Sequence, residues 1–170
     1  QLYFEEPMPE RVERLIAQAS REYGEPAAET SLLQAHLIAP ENLSVLVGLY
    51  RYYFYQHRLD DALLVAERAM HLAAQQLGLP SHWERLDERQ LASAAAASFG
   101  LLRFYLLALK AVSVVLLRMG ETNASRNRLA KLAALDSRDQ FGAAKLLEVI
   151  AEFQGSEEDA HPATSTLATV

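Results

Sequence analysis

Two stretches of this chain carry the same apolar pattern at an offset of 34 residues, from Val12 to Leu46. In the first stretch Val12, Leu15, Ile16 and Ala19 recur at i, i+3, i+4 and i+7, which is one stripe of an amphipathic helix. Gly24 and Pro26 punctuate the chain, and Ala28, Leu32 and Ala35 form a second stripe that stops near Pro40. In the second stretch the matching residues are Leu46, Leu49, Tyr50 and Tyr53, then Ala62, Ala66 and Ala69. The turn Gln56-His57-Arg58-Leu59 separates its two stripes, and Asp60-Asp61 place negative charge at the next helix N-terminus. Pro7-Met8-Pro9 opens the first helix, where proline is tolerated in the first turn. Short helices joined by tight turns pack antiparallel. The repeat therefore predicts an all-α chain of stacked helical hairpins.

A third hairpin is expected at residues 106–137. Leu109, Val112, Ser113 and Leu116 form its first stripe, Met119-Gly120-Glu121-Thr122 the turn, and Ser125, Leu129 and Leu132 the second stripe. Its offset from the second hairpin is not a multiple of the repeat, so residues 77–104 are read as an irregular insertion. Within it a helix is expected to start near Asp87, a suitable N-cap, with a bend at Gly100. A capping helix at 139–153, with Phe141, Ala144, Leu147, Ile150 and Phe153, would cover the last apolar stripe. These parts make one domain over 1–155 with repeats at about 9–42 and 43–76. The acidic remainder, 156–170, has the composition of a disordered tail, and it is expected to lie on a partner protein.

The period and the placing of small residues resemble the tetratricopeptide repeat (TPR) family. The sequence keeps that family's apolar frame, the small Ala28 and Ala62, and the closing Pro40. It departs at the family's small glycine, where Ile16 and Tyr50 stand, and it lacks the opening Trp. The resemblance covers residues 9–76 and implies a TPR-like right-handed superhelix whose first helices line a groove. Carried over position by position, the groove would hold Glu10, Glu13, Ala17 and Arg21, then Ser44, Val47, Arg51, Phe54 and Tyr55, then Leu107, Lys110, Val114, Leu117 and Arg118. The clamp by which some members hold a C-terminal carboxylate is missing, because Glu13, Ala17 and Gly48 stand there. Tyr, Phe and Arg dominate binding hot spots. The expected partner-binding residues are therefore Arg51, Phe54, Tyr55, Lys110 and Arg118, with Glu157, Glu158 and Asp159 from the tail.

Charge and chemistry narrow the function. The net charge is −6, and residues 1–30 hold seven carboxylates against three arginines. Residues 103–138 hold seven basic side chains against Glu121 and Asp136. An acidic total argues against nucleic acid, and the uneven spread suits steering of a partner. With no cysteine, the chain can form no disulfide and no thiolate-held zinc or iron–sulfur site. His36, His57, His71, His82 and His161 form no metal-binding pair at helical spacing. Asp60-Asp61 serve a helix terminus more simply than a cation. No glycine-rich phosphate loop or nucleophile turn is present. The chain is therefore read as non-catalytic and without a cofactor. The apolar run from Leu91 to Met119 is interrupted by Arg103 and Lys110, whereas a membrane span needs roughly 20 apolar residues in a row. With no signal peptide at Gln1-Leu2-Tyr3-Phe4-Glu5, a cytoplasmic location is expected.

The stretch Ala39-Pro40-Glu41-Asn42-Leu43-Ser44-Val45-Leu46-Val47-Gly48-Leu49-Tyr50-Arg51-Tyr52-Tyr53-Phe54-Tyr55 and the alanine-rich middle are similar to a family of small proteins encoded with nitrogen-fixation genes, the nitrogenase-associated factor T family. That resemblance implies binding to the molybdenum–iron protein of nitrogenase, in a chaperone-like or assembly role during maturation, repair or protection. The partner, not this chain, would then hold the metal clusters. Three other readings stay open: a regulatory domain that senses a small molecule in the aromatic groove, a general adaptor with another partner, and a self-associating module.

Overall fold

The structure is a computed structural model and describes residues 6–160, with side chains described as far as Glu157. It is all-helical, with eight α-helices and no strand among the described residues. These are α1 (Glu10–Arg21), α2 (Pro26–Ile38), α3 (Leu43–Tyr55), α4 (Leu59–Leu77), α5 (Glu88–Ala97), α6 (Phe99–Arg118), α7 (Thr122–Leu135) and α8 (Ala143–Ala160), with one 3-10 turn at Trp83–Arg85.

Each helix packs on its neighbour in the chain: α1 on α2, α2 on α3, α3 on α4, α6 on α7 and α7 on α8. The exception is α5, which packs chiefly on α6 and leaves α4 to form the largest interface of the molecule with α6. One apolar core runs through these contacts, from Val12 through Leu43, Leu46 and Leu49 to Tyr105, Leu109, Leu129 and Leu132. At Gly48 the Leu32 side chain of α2 packs directly on the α3 backbone. A Cβ there would lie 2.9 Å from Leu32 Cδ2, so a larger residue would require the Leu32 side chain to shift.

Local chemistry fixes the helix ends. Asn42 caps α3 by accepting from Val45 N at 3.1 Å. Glu6 adds a second cap from across the fold, with Oε1 and Oε2 each 3.0 Å from Leu43 N. Asp87 and Gln90 form a reciprocal capping box at the start of α5. The chain breaks after α5 at Ser98, whose extended backbone (φ −160°, ψ 100°) ends one helix while its hydroxyl accepts from Leu101 N at 3.3 Å to start the next. The expected bend at Gly100 thus falls two residues earlier. Gly100 lies inside α6, because a hydroxyl cap outweighs the weak helix preference of a glycine in the first turn.

The stretch expected as irregular, 77–104, therefore holds α5 and the first turn of α6. The last helix also differs from expectation. Asp139 has φ 49° and accepts from Ala144 N at 2.9 Å, so it stands outside α8 and caps it. At the other end α8 continues to Ala160, and residues 156–160, expected in the tail, are helical. Residues 161–170 lie outside the described part.

The apolar middle is α6. It is the one helix among the described residues long and apolar enough to cross a membrane, with mean hydropathy 1.9, and most of it is buried inside the fold. Tyr105, Leu109, Val112 and Val115 are fully enclosed. One hydroxyl joins α7 to α6, Ser125 Oγ donating to Ser113 O at 2.6 Å, while Ser113 Oγ donates within α6 to Leu109 O at 2.8 Å. Both serines are completely buried.

Candidate functional site

A groove opens between α3 and α6 with α4 as its floor. The α3 wall is Leu46, Val47, Tyr50 and Arg51, at helical spacing, and the α6 wall is Phe104, Leu107, Ala108 and Ala111. Ala66 and Ala69 of α4 close the bottom. Four of these residues are alanines, and their short side chains leave a cavity of about 410 Å³ where larger ones would have filled the space. The lining is apolar apart from the Tyr50 hydroxyl and the Arg51 guanidinium.

An aromatic row leads away from the groove along α3. Phe54 stacks on Tyr50 with ring centres 5.7 Å apart, and Tyr55 meets Phe54 edge-on at 5.8 Å. Tyr23, from the α1–α2 turn, packs edge-on against Tyr55 at 6.3 Å. Arg118, at the end of α6, lies 5.3 Å over the Phe54 ring and so bridges the two walls. Burial, and then the neighbouring Tyr55, push the Tyr50 phenol above its ordinary range.

The expected site residues separate into three groups. Arg51, Phe54, Tyr55 and Arg118 lie in or beside the groove. Tyr55 is 64% exposed, and both arginines are exposed. Lys110 lies elsewhere. It is roughly 110° around α6 from the middle of the lining arc, given 3.6 residues per turn. Its Nζ sits against Gly142 in the α7–α8 connection, 3.6 Å from where a Cβ would be. Glu157 is exposed on α8, and Glu158 and Asp159 belong to the same helix although their side chains are outside the described part. Of the other positions carried over for a groove, Val47 and Leu107 line the cavity, whereas Ser44, Val114 and Leu117 do not.

Tyr50, Ala66 and Ala69, read from the sequence as apolar stripe positions, pack in or against the core as that reading requires and also form part of the wall and floor of the groove. The signal for them was the coincidence of alanines on facing helices, which takes the helix order to interpret. Tyr53 is buried as expected. Its hydroxyl donates to Glu29 at 3.1 Å, and Arg58 lies 4.6 Å over its ring. Burial first, then the Glu29 carboxylate, push the Tyr53 phenol up to about 12. Arg58 also pairs with Glu29 at 2.7 Å and with Asp61 at 2.9 Å, so Asp61 is engaged in an ion pair at the α3–α4 turn. Among the described residues no three His, Cys, Asp or Glu side chains converge as a metal site would need.

Comparison with known proteins gives one informative match. Over 151 residues the chain is 44% identical to a protein of Azotobacter chroococcum mcd 1 described as an uncharacterized 19.8 kDa protein in the nifW 5′ region. The match covers 89% of this chain and 84% of the other. No family model matches. No solved structure matches.

Proposed function

The chain belongs to the family of that 19.8 kDa nif-region protein, and on this premise we propose that it is a non-catalytic, cytoplasmic protein-binding factor of nitrogen fixation. Its partner in this reading is the molybdenum–iron protein of nitrogenase, and it acts in maturation, repair or protection of that protein. The observation that carries the reading is the apolar groove between α3 and α6, continued by a half-buried aromatic row that ends on the exposed Tyr55 and set in a protein of this family. A groove with apolar walls and Tyr, Phe and Arg at its rim has the make-up of a protein-binding hot spot.

The stacking of the hairpins is read as a degenerate TPR-like right-handed superhelix with α8 as the end cap. The neighbour-to-neighbour packing from α1 to α4, resumed from α6 to α8, supports this. A solenoid grows in this way, each unit covering the face of the one before it.

The test is anaerobic size-exclusion chromatography of the purified chain with purified molybdenum–iron protein, both cofactor-loaded and cofactor-deficient. Co-elution with either form is the expected result. Separate elution of the two proteins at micromolar concentration removes the nitrogenase reading. A second reading has one observation in its favour. A cavity of about 410 Å³ falls within the range of small-molecule sites. Calorimetric titration with cellular metabolites distinguishes the ligand-sensing alternative, since a protein-binding groove should release no saturable heat with them.

A further inference from the structure

We propose that the α3–α6 groove takes an amphipathic helix of the partner protein, one that carries carboxylates at the end facing Arg51 and Arg118. This deepens the function proposed above by naming the chemistry of the segment bound, and it rests on that reading.

The argument begins with charge. The molecule as a whole is acidic, with a net charge of −6. The groove reverses this: no carboxylate lines it, and its one charged lining side chain is Arg51. Arg118 supplies a second positive charge, held on the Phe54 ring where the aromatic row leaves the groove. Neither guanidinium is paired with a carboxylate among the described residues. Arg58, by contrast, is satisfied twice, by Glu29 from α2 and by Asp61 in its own turn. Two unpaired arginines flanking an apolar trough match an acidic, apolar partner and reject a basic one.

Shape selects a helix. The α6 wall repeats from Phe104 to Ala111, about two helical turns or roughly 10 Å. A partner helix offering apolar anchors at i, i+3 or i+4, and i+7 has the same length and period. The alanine floor leaves room for those anchors to descend between the walls. The two arginines then meet acidic residues beyond the last anchor, fixing which way round the helix lies.

The test uses the full chain with purified molybdenum–iron protein. A photo-cross-linking benzoylphenylalanine replaces Leu107 on the groove wall or Val149 on the exposed face of α8, and complex formation is followed separately by co-elution. Cross-linking from position 107 to an acidic, helical segment is the expected result, together with an affinity loss of at least about tenfold in Arg51→Glu. Circular dichroism of Arg51→Glu confirms that it is folded. A complex that forms but cross-links from 149 and not from 107 overturns the groove and leaves the choice of partner intact. If no complex forms, the nitrogenase reading fails, and the groove is judged with designed probes. These are a leucine–alanine helical peptide with glutamates at one end and its lysine counterpart. Binding of the glutamate peptide alone, weakened by Arg51→Glu, upholds the groove chemistry. Equal binding of both peptides, or binding of neither, overturns it.

Discussion

Replacing Ser125 by alanine should cost about 1 kcal/mol, whereas replacing Ser113 by alanine should cost close to nothing. The two serines look equivalent, since both are fully buried at the same α6–α7 contact. Their hydroxyls do different things. Ser125 Oγ reaches across to Ser113 O at 2.6 Å, so it ties one helix to another. Ser113 Oγ turns back to Leu109 O at 2.8 Å, within its own helix, where that bond adds little and tends to bend the backbone. Neither alanine leaves a carbonyl orphaned, because main-chain donors in α6 serve the same oxygens. The loss in Ser125→Ala is thus one net hydrogen bond and one small atom's worth of packing. Ser125→Val adds volume where none is free, and overpacking raises its cost to about 2–4 kcal/mol. Urea unfolding followed by far-ultraviolet circular dichroism measures all three. In a chain of this size 1 kcal/mol corresponds to a melting shift of about 2–4 °C. A Ser113→Ala loss equal to or larger than that of Ser125→Ala would show that the inter-helix bond is not what holds this contact.

Leu109→Ala, at a position with no exposure, should destabilise the fold by about 2–5 kcal/mol in the same assay. Glu6→Ala should cost about 1 kcal/mol and speed hydrogen exchange at the Leu43 amide, which the Glu6 carboxylate now holds. Tyr53 and Tyr105 have phenols raised to about 12 from an ordinary 10, chiefly by burial. The folded state therefore keeps protons that the unfolded chain gives up. Stability from these groups is intact below pH 10 and falls as the pH rises from 10 to 12. Spectrophotometric titration should show these two phenolates appearing only with unfolding, and their early, reversible ionisation in the folded protein would contradict the burial argument.

Much of the fold could be read from local spacing. The stripes beginning at Val12 and Leu46 reveal helices because a helix face is a property of neighbouring residues, and Asp87 marks a helix start by its own side chain. Ser98 was harder. Its hydroxyl acts only once the backbone has opened, and the nearby Gly100 gives a louder signal for a break that it does not make. The start of α8 depends on Asp139 bonding five residues ahead from a left-handed conformation, which no periodic pattern announces. The groove was half legible. Arg51 and Leu107 follow from a repeat template, but the cavity exists because Ala66, Ala69, Ala108 and Ala111 meet across three helices. Lys110 shows the limit of such templates: it stands roughly 110° around α6 from the groove lining, against Gly142 on another face of the helix.

The attachment of α5 has an architectural consequence. This helix rests chiefly on α6 and is joined to it by a single extended residue, Ser98, so α4 meets α6 directly, with α5 set to one side of their contact. Between Gly78 and Ser98 the chain is tied to the core at Leu79, Leu86 and Ala94 and to α7 at Trp83, so changes of length fit only at exposed residues between these anchors, such as Ser81 and His82. A reporter domain would be spliced in at that exposed Ser81-His82 turn.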